Sequence, residues 1–179
     1  MTNWSPKQRQ RVSYERRILD SELPEFQIHN PNAPDQCRVE GWHKSNSLRN
    51  RYLLQLRNLA NFPTMEPSMV VVKPTPLKLK DGSTIPNCSH SFHTLGLEAD
   101  NALRICIVNK WNARMSFVNL FCRGILWVHC YERHLENGRD IEYQYKNLED
   151  QVRQPIRRGS VRAVPEPFLL RLFKAIFAK

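Results

Sequence analysis

Between Met115 and about Leu135, the residues Phe117, Leu120, Phe121, Leu126, Trp127, Tyr131 and Leu135, with Gly124 among them, recur at helical spacing over a broad apolar face. A helix this apolar belongs in a core, so the rest of the chain must give it a surface to lie against. Asn137-Gly138 marks its stop, since glycine takes the left-handed conformation that ends helices at no steric cost. The segments before it supply that surface. Cys37–Lys44, Arg51–Asn58 and Met69–Lys73 read as strands. The polar turn Ser45-Asn46-Ser47 and the proline-punctuated link Phe62-Pro63-Thr64-Met65-Glu66-Pro67 join them, and short connections of this kind predict an antiparallel meander.

The chain opens with a second helix. Ser5 is placed to cap it, Pro6 suits its first position, and Gln8 completes a capping box. It should run to about Glu22 with a narrow apolar stripe that docks along one edge of a domain, before Pro24 and the Asn30–Pro34 cluster break the pattern. After the meander, Ile85 to Ala102 shows no clear period and reads as a long loop, of a length that in a compact domain usually carries function. The whole is an α+β pattern: helix, meander, loop, short strand, long core helix and a basic tail.

The short strand carries the most suggestive chemistry. Leu103-Arg104-Ile105-Cys106-Ile107-Val108 sets one cysteine in an apolar, β-branched run that stops at Asn109-Lys110-Trp111-Asn112. Arg104 and Lys110 are expected to bring positive charge near the sulfur and favour the thiolate. The competing reading makes Cys106 a small buried hydrophobe, as Cys122 and Cys130 on the long helix are expected to be. The five cysteines are odd in number and form no CxxC pair, and the N-terminus lacks the apolar core of a signal peptide, which points to a reduced, cytoplasmic protein. Cys88, His90 and His93 crowd together without a fourth, regularly spaced ligand, so no metal is expected there, and His129 and His134, five apart, do not share a helix face well enough to chelate. No phosphate-binding loop, dinucleotide glycine pattern or nucleophile elbow is present, and no cofactor is implied.

In this order the residues resemble the ubiquitin-conjugating (E2) superfamily, and within it the bacterial members of antiviral signalling (CBASS-type) operons. The resemblance covers about Ser5 to Asp140. It is carried by Phe62-Pro63 and Pro67 before Met69-Val70-Val71-Val72, by His93, by Ile105-Cys106-Ile107 followed by Trp111, and by Trp127, Tyr131-Glu132 and Gly138. It implies the ubiquitin-conjugating fold and an acyltransferase in which Cys106 accepts a protein C-terminus as a thioester and passes it to an amine. The implied partner is a cGAS/DncV-like nucleotidyltransferase or a ubiquitin-like protein, served by a separate activating enzyme (E1) or by none. The family's His-Pro-Asn is replaced by His93-Thr94-Leu95, so the asparagine that supports the oxyanion is missing; Asn101, Asn109 or backbone N–H groups are the candidate substitutes. A catalytically inert adaptor on the same fold is the alternative.

A net charge of +10 raises a nucleic-acid-binding domain as a further reading. The charge gathers at the ends: from Gln151 to Lys179 seven basic residues face the single acid Glu166. No interleaving of basic and aromatic residues on a sheet face is evident in the sequence, so nucleic acid is the less expected partner. We therefore divide the chain into a conjugating domain over 1–140 and a basic extension over 141–179, whose residues 168–178 form a short, largely apolar helix after Pro165 and Pro167. Phe168 and Phe173 of that helix, with Trp111, are the expected partner-binding residues. No apolar run approaches the roughly 20 residues a membrane-spanning helix needs.

Overall fold

The computed structural model describes residues 3–153; Phe168, Phe173 and the expected helix 168–178 lie outside the described residues. Helix α1 spans Pro6–Glu22, and its start is the expected capping box. Ser5 Oγ accepts from the Gln8 amide at 3.2 Å, and Gln8 Oε1 accepts from the Ser5 amide at 3.0 Å. The helix buries Val12, Glu15 and Leu19.

Seven strands follow, β1 (Phe26–His29), β2 (Arg38–His43), β3 (Tyr52–Arg57), β4 (Ser68–Lys73), β5 (Cys88–Ser89), β6 (Thr94–Leu97) and β7 (Leu103–Ile105). They form one antiparallel sheet in the order β1-β2-β3-β4-β7-β6-β5. The expected meander is there, with one strand more than anticipated. β1 escaped notice because four residues between Pro24 and Asn30-Pro31 are too few to show a period. The segment Ile85–Ala102 is a correction: it is not simply a loop, since β5 and β6 lie within it and extend the sheet beyond β7. Gly96 at φ 117° and a register shift between Thr94 and Gly96 hid the alternation that would have revealed β6.

Helix α2 spans Phe117–Asn137 and ends on Gly138 at φ 77°. It packs on one face of the sheet, where Phe121 meets Phe26 with ring centroids 4.0 Å apart and Phe117 meets Phe62 at 4.7 Å. Close approach is built in at Gly124, where an added Cβ would stand 3.2 Å from Met69 Sδ. Polar residues on the same buried face make specific hydrogen bonds, though Glu132 Oε2 is left without a partner among the described residues. Tyr52 donates to Glu132 Oε1 at 2.6 Å, and Tyr131 donates to the Lys78 carbonyl at 2.6 Å. His129 Nε2 lies 3.3 Å from His43 Nε2, with both rings buried. Burial holds each of these imidazoles down at about 4, with the facing His43 and Arg133 adding to the effect on His129.

Helix α3 spans Ile141–Arg153 and begins just past the boundary drawn at 140. It is not separate from the body, because Ile141 and Leu148 belong to the same buried core and Gln144 is buried with them. No described helix is long and apolar enough to cross a membrane.

Candidate functional site

β7 stops at Ile105, so Cys106 is the first residue after the strand rather than within it. It is half-buried, and its Sγ lies 3.7 Å from the Val108 carbonyl. The other cysteines differ in setting. Cys37 and Cys130 are buried, and burial raises their thiols to about 11 and about 12; Cys122 is half-buried on α2 and Cys88 is exposed on β5.

The backbone around Cys106 is held from four sides. Its amide donates to the His93 carbonyl at 2.7 Å. Arg123 of α2 donates to the Ile107 carbonyl at 3.2 Å. The Trp111 indole N–H donates to the Pro63 carbonyl at 3.0 Å, tying the loop after Cys106 to the loop before β4. From α1, Arg11 donates to the Ala113 and Met115 carbonyls at 3.0 and 2.8 Å. Buried Glu15 receives Arg11 Nε at 2.6 Å and the Phe117 amide at 2.7 Å.

His93 is where the sequence pointed, and its surroundings were not foreseen. At φ 51° it turns the chain so that its carbonyl meets Cys106. Its Nε2 lies 2.7 Å from Glu142 Oε2, and its ring packs edge-on against Tyr145 at 5.0 Å. The Glu142 amide donates to the Ser91 carbonyl at 2.9 Å, and Lys146 pairs with the same carboxylate at 3.2 Å. Burial works to raise the Glu142 carboxyl, but the hydrogen bonds from His93 and Lys146 prevail and hold it below the usual range. Burial and the Cys130 thiol push the half-buried Tyr145 phenol well up, Arg123 opposes, and Cys106 and Glu142 add to the rise. Glu142 and Tyr145 belong to the helix assigned to the extension, so nothing in the local spacing linked them to a cysteine some three dozen residues away.

The structure bears on three further expectations. Burial raises the Cys106 thiol, a backbone hydrogen bond at Val108 opposes, and the Glu66 carboxylate adds to the rise; no cation offsets this. Arg104 does not serve the sulfur, because it donates instead to the Leu95 carbonyl at 3.0 Å. Asn101 lies at the β6–β7 turn, the opposite end of β7 from Cys106, where its carbonyl receives Thr75. Asn109 is exposed, three residues beyond Cys106. Trp111, expected on a partner surface, spends its N–H within the chain and packs its ring against Phe62 at 6.3 Å.

Set against known proteins, the chain matches no family model, no curated protein and no solved structure. Function must be argued from the residues alone. Among the described residues no group of three or more His, Cys, Asp or Glu side chains is placed to hold a metal ion, and His90 and His93, with ring centroids 5.7 Å apart, share only a ring contact.

Proposed function

We propose that the protein is a cysteine acyltransferase of the ubiquitin-conjugating type, with Cys106 as the group that carries the acyl chain. The observation that carries this reading is the placement of Cys106: a half-buried thiol at a strand terminus, on a backbone held by His93, Arg123 and the Pro63–Trp111 link. The order of helix, antiparallel meander, cysteine and core helix supports it.

The chemistry follows from the resting state. A thiol raised above its ordinary value is protonated at neutral pH, so it gives up its proton as its sulfur attacks the carbonyl carbon of an incoming activated C-terminus. In exchange with a carrier thioester, a new C–S bond forms at Cys106, the old one breaks, and the departing thiolate takes up the proton. An amine then forms a C–N bond as the C–S bond breaks, and the sulfur recovers a proton from the nitrogen. Sulfur suits both halves, being a good nucleophile and a good leaving group. Without the family's asparagine, backbone N–H groups after Cys106 are the nearest donors for the oxyanion.

The conjugated protein is, in this reading, a nucleotidyltransferase or ubiquitin-like partner presented with its activating enzyme. The test is a covalent adduct on non-reducing gels that thiol reductant releases in the wild type. Cys106→Ser should convert it to a reductant-resistant ester. If the wild type forms no adduct with its genomic-neighbour partner and activating enzyme, the raised thiol and the missing asparagine favour the inert adaptor.

A further inference from the structure

We propose that the outer face of the sheet, at the end remote from Cys106, binds single-stranded nucleic acid through a Trp42–Arg51 stack flanked by Lys44, Arg49 and Lys73. The argument starts with the strand alternation. Gly41 and His43 are buried beneath α2 while Trp42 between them is 42% exposed, so Trp42 lies on the sheet face that α2 does not cover. Leu53 and Lys73 are its successive cross-strand partners, which sets an indole, a half-buried leucine and an exposed lysine in one row. The Arg51 guanidinium lies 4.5 Å from the Trp42 ring centroid. Lys44 holds the β2–β3 turn through the Leu48 carbonyl at 2.7 Å and remains exposed.

The charge around the Trp42 corner is mainly basic, with Glu98 and Asp100 in the β6–β7 turn as the acidic neighbours beyond Lys73. From Gly41 to Met65 and from Pro67 to Lys80 the chain contains no acidic residue, and at this corner these stretches place Lys44, Arg49, Arg51 and Lys73. The carboxylates of Glu40 and Asp100 are both engaged within the chain, Asp100 in the β6–β7 turn on the Lys73 side. Glu40 engages Arg38, His29 and Gln55, and Asp100 takes a bidentate pair from Arg57 at 3.0 and 2.7 Å. The side chains of Arg49 and Lys73 make no ion pair or hydrogen bond among the described residues. An open basic surface calls for a polyanion, and the exposed indole with its guanidinium narrows the choice. Bases of a single strand offer free π-faces to aromatic rings and arginine planes, whereas a duplex hides its base faces and an acidic peptide has none. The sequence concealed this arrangement because the residues come from β2, the β2–β3 turn and β4, and only the sheet register brings them together.

The test is fluorescence anisotropy of labelled oligothymidylate and oligouridylate of about 12 nucleotides, titrated with the full chain from about 50 to 200 mM salt. Binding should weaken with salt and quench tryptophan fluorescence. Trp42→Ala should weaken it about tenfold, leave the salt slope unchanged and remove the quench. Arg51→Gln and Lys73→Gln should each flatten the log–log slope by about 0.7, the share of one phosphate. Thermal melting of each variant confirms the fold, which this exposed site does not support. No binding at the lowest salt overturns the proposal, as does equal affinity for a duplex or polyglutamate. Full affinity in Trp42→Ala overturns it too, including the case in which replacing Arg157, Arg158 and Arg162 with glutamine abolishes all binding.

Discussion

The two ends of the sheet are built on opposite principles. At the Cys106 end, side chains from α1, α2 and α3 are spent on fixing backbone: Arg11 on 113 and 115, Arg123 on 107, Glu142 on the turn that leads through His93 to Cys106. At the Trp42 end, about 17 Å away along a six-residue strand, Lys44 is among the described residues the one basic side chain of the corner bonded to backbone, while Arg49 and Lys73 stand in solvent. Chemistry at a single atom requires the first arrangement, because a misplaced thiol does not react. Attraction of a long, flexible polyanion needs only the second, since phosphate contacts tolerate movement. Rigidity and exposure thus mark which end could perform a reaction and which could hold a polymer.

The sharpest way to break this contrast is a crossed pair of variants. Cys106→Ala should abolish the reductant-sensitive adduct while oligonucleotide affinity stays unchanged, and Trp42→Ala should do the converse. Loss of both functions in either variant, with the fold intact by circular dichroism, would join the two ends into one site.

Acid should act next, and mainly beneath the open end. His43 sits under the Trp42 corner, facing His129, and both have their values lowered from 6.5 to about 4 in the folded protein. The unfolded chain therefore binds more protons across that window. Stability is full above about pH 6.5 and falls as the pH drops toward 4. A loss on the order of 10 °C in Tm is expected over this range, read by calorimetry. His43→Leu combined with His129→Leu should flatten the profile; a pH-independent wild type would show that the pair is not what acid attacks.

Smaller effects sharpen the closed end. Cys130→Ala, at a fully buried position, should cost about 1–2 kcal/mol in urea unfolding without reducing adduct formation. Glu142→Ala should cost about 1 kcal/mol and speed alkylation of Cys106 by a neutral reagent, because the turn that holds its amide loosens. The same variant should leave Trp42 fluorescence and oligonucleotide binding untouched. Cys122→Ala, half-buried on α2, should change stability by less than about 1 kcal/mol and alter neither end.

The sequence was legible wherever structure is written locally. Ser5, Pro6 and Gln8 announce α1 within four residues, and the broad apolar face from Phe117 announces α2. Short strands were not legible, because β1 has four residues and β5 two, fewer than a period needs to become visible. Cys106 and His93 were found by their local context. Glu142, Tyr145, Arg11 and Arg123 were missed for a shared reason: each reaches the site from a distant helix, and an ion pair, ring contact or hydrogen bond to backbone across that distance leaves no spacing to read. Arg104 shows the reverse failure, in which nearness along the chain suggested a role that its side-chain direction denies.

The attachment of α3 also sets an order of events during synthesis. The sheet and α2 are complete by Asn137, but the carboxylate that seizes His93 comes five residues later and the aromatic ring that packs on it eight later. A chain emerging from the ribosome has its sheet and α2 before α3 adds Ile141 and Leu148 to the core and fastens the turn beside Cys106. The turn whose His93 carbonyl holds the Cys106 amide is therefore fastened only when the last described helix docks. A chain cut short between α2 and α3 would keep that turn without its fastening carboxylate and ring.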